Sequence, residues 1–119
     1  MNIKKNHVKE LSFAFSLQII KYCDMLVSLK KYTISKQLQK SGTSIGANIR
    51  EAQQAESKLD FIHKLKISLK EADETEYWLL LCKFSENYPD AEGLLMDIIA
   101  IKKLLISIVL KAQHNLNGN

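Results

Sequence analysis

Asn48 and Glu51 stand one helical turn apart, and Glu71 and Glu74 repeat that spacing further along the chain. Residues at i and i+3 share one side of a helix. Two such pairs on neighbouring helices suit a shared polar site or a half-buried network. The alternative is a structural Asn with ordinary solvated carboxylates; a network is required only if the groups lie near the core, where polar atoms need partners. Glu76 poses a sharper problem. By helical angle it falls among Leu65, Leu69, Ala72, Leu79 and Leu80. A lone carboxylate there is costly unless it is paired or protonated, so the simpler expectation is that the helix turns and lets Glu76 reach water. Asp60-Phe-Ile-His63 has the carboxylate-x-x-His spacing of metal sites in bundles. No second pair accompanies it, and neither His7 nor His114 brings a partner, so neither a metal centre nor a cofactor is expected. Lys36, Lys40, Arg50 and Gln54, with Thr43 between, form a stripe opposite the apolar face of their helix. Such a stripe is either a phosphate-contacting surface or a solvated outer face.

These groups need helices to position them. Four segments show a 3.6-residue apolar period, at about 8–31, 36–55, 58–86 and 91–114. Ser35 is a candidate N-cap for the second helix. Ser57 with Asp60 makes a start resembling a capping box for the third, and Pro89-Asp90 opens the fourth. The core stripes run through Leu11, Phe15, Ile19, Tyr22, Leu26 and Leu29, then Leu38, Ile45, Ile49 and Ala52. They continue through Phe61, Ile62, Leu65, Leu69, Ala72, Leu79 and Leu80, and finally Leu94, Ile98, Ile101, Leu105, Ile108 and Ala112. Short links between long helices predict an all-α, antiparallel up-down-up-down four-helix bundle forming one domain over residues 1–119. The second helix is unusual in being built from small residues, so it can lie close to its neighbours. Asn115–Asn119 read as a frayed tail.

The apolar surface exceeds what one such bundle buries. Phe13, Leu17, Ile20 and Val27 make a second stripe on the first helix, and Leu95, Ile99, Ile106 and Leu110 make another on the fourth. Ile67, Trp78 and Leu81 add a third, mixed with Glu71 and Glu74. Large exposed apolar patches are unusual on monomers, which favours self-association over scattered surface residues. The net charge of +4 is uneven. Residues 1–50 carry nine basic against two acidic side chains, or +7, and residues 51–119 carry eight against eleven, or −3. Sixteen of the seventeen basic residues are Lys, which offers charge without the forked geometry of Arg. Nucleic acid, if bound, is expected to be read through its backbone. Two cysteines, Cys23 and Cys82, are too few for a disulfide framework and read as packing thiols. No apolar run reaches about 18 residues, so no membrane span is expected, and the chain reads as cytoplasmic.

Ile34–Ala52 and Phe61–Leu79 resemble the bacterial four-helix bundle family, also called the 23S rRNA intervening-sequence proteins. The likeness covers nearly the whole chain. The family's Ser-Ile-x-x-Asn-Ile-x-Glu motif falls on Ser44, Ile45, Asn48, Ile49 and Glu51, and its third-helix Glu falls on Glu74. The resemblance implies a homopentamer of antiparallel four-helix bundles. It also points to a related branch, the accessory proteins of diversity-generating retroelements, basic pentameric barrels that contact a reverse transcriptase and nucleic acid. This chain differs from that branch in its single Arg and acidic second half. The leading expectation is a non-enzymatic oligomeric scaffold that binds RNA or DNA through Lys36, Lys40 and Arg50. Its expected interface holds Phe13, Leu17, Ile20, Leu95, Ile99, Ile106, Leu110 and Trp78. Asn48, Glu51, Glu71 and Glu74 are expected to form a structural polar network. The alternative is an adaptor whose acidic third helix meets a basic protein partner.

Overall fold

The computed structural model describes residues 3–117 and holds four helices: α1 (Ile3–Ser28), α2 (Tyr32–Gln53), α3 (Lys58–Phe84) and α4 (Glu92–Asn117). No strand occurs among the described residues. Each helix packs on the two beside it, α1 on α2 and α4, and α3 on α2 and α4, so the four close a square around one core. The bundle is a rod of 53 × 21 × 20 Å. Bonds across the seams fix the antiparallel register. Ser35 donates to the Cys23 carbonyl at 3.1 Å, Ser68 to the Ile45 carbonyl at 2.9 Å, and Tyr22 to the Pro89 carbonyl at 2.7 Å.

The two helix ends at the α1–α2 turn move for local reasons. α1 stops at Ser28 because Lys30 turns left-handed (φ 63). The Lys31 amide then donates to the Leu26 carbonyl at 2.8 Å, and the Lys30 amide to Val27 at 2.9 Å. This is the double bond pattern that glycine usually closes; here a lysine closes it, and the composition gave no warning. α2 starts at Tyr32, four residues before the expected start, with Lys31 at its N-cap and no side-chain cap. Ser35 is therefore not a cap; it is buried inside α2, where its hydroxyl serves the α1 seam. Ser57 does cap α3, accepting from the Asp60 amide at 3.0 Å, and Asp90 accepts from the Glu92 amide at 3.0 Å ahead of α4. α4 continues to Asn117, past the expected end, while residues 118 and 119 lie outside the described residues.

The expected stripes of α2 are fully buried, and most of the others are buried or half-buried. Leu29 is exposed because it follows the end of α1, and Leu80 because it sits at the outer edge of α3. The small residues of α2 let it approach α1 closely. A Cβ on Gly42 would stand 2.9 Å from the Ile19 Cγ2, and one on Gly46 would stand 3.3 Å from the Ser12 Oγ.

Candidate nucleic-acid interface and the seams beside it

The outer face of α2 carries Lys36, Lys40 and Arg50, all exposed. Lys36 and Lys40 line one open groove between the end of α1 and the first turns of α2, together with Val27, Tyr32, Ser35, Gln39 and Thr43. Arg50 lies more than two turns further down α2 and does not line that groove. The sequence placed these three cations on one stripe; the structure gathers two of them. The groove lining holds no carboxylate. Its hydroxyls are set by the helix backbone, with Thr43 donating to the Gln39 carbonyl at 2.7 Å.

The α2–α3 seam is polar, but through other residues than expected. Asn48 donates to the Ser44 carbonyl of its own helix at 2.9 Å, and Glu51 pairs with Lys64 at 3.3 Å. Glu71 and Glu74 lie nearer the opposite end of the seam, where the buried Thr75 meets Ser41. The four residues thus do not form one cluster, because antiparallel packing sends Glu51 toward the start of α3. Burial pushes the Glu71 carboxyl above its ordinary pKa and the neighbouring Glu74 adds to this, while Lys40 and Lys70 oppose it. The groups that do join the helices are hydroxyls. Ser68 donates to the Ile45 carbonyl, and Thr75 lies 2.9 Å from the Ser41 Oγ and 2.8 Å from the Glu71 carbonyl. Ser41, Ser68 and Thr75 occupy core-facing positions three or four residues from Leu38, Ile45, Leu65, Ala72 and Leu79. That phase was the signal available in the sequence.

The α3–α4 seam resolves Glu76. Its carboxylate meets Lys102 at 2.7 Å, and Lys102 also binds Asp73. Glu76 keeps a quarter of its side chain in water, so pairing and partial exposure together accommodate the charge. Burial alone lowers the Lys102 pKa, but hydrogen bonds to Asp73 and Glu76 outweigh it and hold the ammonium above its ordinary value. Among the described residues no three His, Cys, Asp or Glu side chains gather to hold a metal ion. Cys23 and Cys82 are buried free thiols, with burial pushing Cys23 up to about 11.

The sequence profile of the 23S rRNA-intervening sequence proteins matches residues 4–107. The chain belongs to that family. It is also similar to a solved protein of unknown function from the S23 ribosomal protein family of Bacteroides thetaiotaomicron. The two are 50% identical with a TM-score of 0.86, over 90% of this chain and 98% of the other. Comparison with curated proteins gives no match.

The bundle leaves two apolar faces open. Phe13, Leu17, Ile20 and Val27 are exposed on α1, and Val27 walls the groove against α2. Ile99, Ile106 and Leu110 are exposed on α4, one turn from Leu95, Lys102 and Ile106, so their stripe borders the α3 seam. Tyr77, Leu80 and Phe84 on α3 and Met96 on α4 add exposed apolar surface. The expected interface changes at two positions. Leu95 is buried (5% exposed) because α3 covers that side of α4, where Lys102 follows seven residues on. Trp78 is half-buried, and its indole nitrogen is enclosed without a hydrogen-bond partner. Asn6–Ser28 is long and apolar enough to cross a membrane by length and composition alone, a measure that the core helix of a bundle also meets. In the bundle its Phe15, Ile19, Tyr22 and Leu26 side walls the core.

Proposed function

We propose that this chain is a non-enzymatic cytoplasmic scaffold that closes into a homo-oligomer and offers the outer face of α2 to nucleic-acid phosphates. The observation that carries the oligomer is the pair of apolar faces, one on the α1–α2 side and one on the α3–α4 side. Two different patches on opposite sides of one protomer favour head-to-tail contacts, which form a ring when the rotation closes. The number five comes from the family resemblance alone, as does kinship with the retroelement accessory proteins. The exposed Lys36 and Lys40 support phosphate contact, and a ring repeats them so that weak contacts add along a strand.

Light scattering gives the mass of the assembly, and a mass near 13.6 kDa at micromolar concentration rejects the oligomer. Gel shifts of RNA and DNA over a salt series test the binding. Each phosphate neutralised on a duplex adds about 0.9 to the slope of log affinity against log salt. Charge reversal at Lys36 and Lys40 should flatten that slope for every sequence alike. An intact oligomer that shifts neither RNA nor DNA at low salt leaves the adaptor reading, in which Glu71, Asp73 and Glu74 of α3 meet a basic protein.

A further inference from the structure

The groove at the top of α2 has a composition that plain phosphate contact leaves unexplained. Tyr32 stands at its end with 59% of its surface exposed, next to Lys36 and within three turns of Lys40. We propose that this groove binds single-stranded RNA, with Lys36 and Lys40 on successive phosphates and Tyr32 stacked on a base. The inference rests on the nucleic-acid reading above and narrows it to one strand state and one place.

Four residues of α-helix rise about 6 Å, so Lys36 and Lys40 are spaced near the step between neighbouring phosphates of an extended strand. Among the described residues neither lysine makes a salt bridge; the Glu71 carboxyl of α3 lies within electrostatic reach of Lys40, so Lys36 is the freer of the two cations. Lys31, by contrast, is engaged over the Tyr88 ring at 4.8 Å. The α2 N-terminus adds to the field, since Lys31 provides no side-chain cap and the first turn holds no acid. A duplex hides its base faces, so Tyr32 would find nothing to stack on. A single strand presents a π-face at every nucleotide, and a positively charged groove with an aromatic platform is the usual way to hold one. The Gln39 amide and the lone pairs of the Thr43 hydroxyl lie along the same lining and suit a 2′-hydroxyl, which donates and accepts. Phe13, Leu17 and Ile20 end about 10 Å along α1 from Val27 by helical rise, so a neighbouring copy seated on them leaves room at the groove.

Fluorescence anisotropy at low salt, with a labelled strand of about 12 nucleotides, tests this. The probes are the single-stranded RNA, its duplex and the matching DNA strand. The expected result is tighter binding of the single-stranded RNA than of either other probe. Tyr32→Ala should weaken that binding about 5- to 100-fold and abolish the strand preference, whereas Tyr32→Trp retains it. Lys36→Glu with Lys40→Glu should weaken all three probes. If duplex and single strand bind alike and Tyr32→Ala changes nothing while the lysine variant weakens both, the groove proposal fails and backbone-directed binding stands. Equal affinity for RNA and DNA strands overturns the RNA assignment. Binding that survives lysine reversal, or no binding at all, overturns both readings. Light scattering on Tyr32→Ala is the control: loss of the assembled mass places Tyr32 between copies and overturns the stacking role.

Discussion

The Ile19 side chain occupies the space that a Cβ on Gly42 would need, with its Cγ2 2.9 Å from that point. α1 and α2 meet there as closely as side chains allow. Alanine normally favours a helix over glycine by about 1 kcal/mol. At Gly42 the overlap should outweigh that gain, because forcing extra atoms into a packed core costs about 1–3 kcal/mol. Gly42→Ala is expected to lower the melting temperature. Gly46→Ala meets the Ser12 hydroxyl at 3.3 Å and the Ser12 Cβ and carbonyl at an ordinary 3.5 Å and should be close to neutral, and Gly93→Ala, with nothing within 4 Å, should raise it. Thermal denaturation of the three variants checks the order; a Gly42→Ala protein as stable as the Gly93→Ala protein would show that Ile19 moves aside freely.

Lys30 supplies a second test of backbone against side chain. Its φ of 63 puts an L-residue in the left-handed region at the end of α1. That conformation costs a residue with a Cβ about 1–2 kcal/mol, and glycine avoids it. Lys30→Gly should therefore stabilise the bundle by about 1 kcal/mol, raising the denaturant midpoint with an unchanged slope. A fall in the midpoint would mean that the Lys30 side chain holds the loop through contacts worth more than the strain.

Stability should also depend on pH through two groups of opposite chemistry. Lys102 has a folded pKa above its ordinary 10.5, so its contribution is fully present below that value and is lost as the pH rises through the folded pKa. Lys102→Met should cost about 1 kcal/mol at neutral pH, because Asp73 and Glu76 lose their cation but stay partly wet. The variant's deficit should shrink as the pH rises above 10.5 and vanish only past the higher folded pKa, where the wild-type ammonium is also discharged. Glu71 has a folded pKa above 4.5, so its ionisation opposes folding and stability falls as the pH rises through that range. Glu71→Gln should therefore melt slightly higher than the wild type at neutral pH and show no advantage below 4.5. A melting-temperature series across pH for both variants decides these signs.

The stripes of α2 and the cap at Ser57 were legible because each depends on local pattern: a 3.6-residue period or a serine three residues before an acid. The fold class followed from the same period, whereas the family was marked by the resemblance of Ile34–Ala52 and Phe61–Leu79. What was not legible depended on neighbours. Ser35 has the chemistry of a cap, yet it lies inside α2 because Lys30 turns the chain with no Gly or Pro to mark the place, and α2 starts at Tyr32, four residues before the expected start. Asn48 and Glu51 were read as reaching Glu71 or Glu74, but the register of two antiparallel helices sets who meets whom, and it pairs Glu51 with Lys64. The hydroxyls that do bridge the seam, Ser41, Ser68 and Thr75, were passed over because small polar residues in a core phase look like gaps in an apolar stripe. In the candidate groove Lys36 and Lys40 were visible on the helix face. Tyr32 was not, because it lies between the two apolar periods, at 8–31 and 36–55, and α2 begins with it.

The two α4 residues Leu95 and Ile99 are one turn apart and should behave in opposite ways when charged. Leu95 is 5% exposed and packed into the core beside α3, whereas Ile99 is 42% exposed. A lysine at position 95 would have to bury an ammonium without a partner, which costs several kcal/mol. Leu95→Lys is therefore expected to lose cooperative unfolding and helical signal together. A lysine at position 99 can reach water in a lone protomer, so Ile99→Lys should keep its helical circular dichroism and melt near the wild type. If the α3–α4 face is where a second copy docks, the same ammonium becomes buried between subunits, and the assembled mass should fall toward 13.6 kDa by light scattering. Leu110→Lys at the far end of the stripe, 61% exposed in the protomer, should reproduce the effect. Phe13→Lys on α1 should do so from the opposite side, since a head-to-tail contact needs both faces. A protein in which Ile99→Lys and Leu110→Lys keep the assembled mass while Phe13→Lys loses it would place the contact on α1 alone, and the contact would then be a two-fold pairing of like faces instead of a ring.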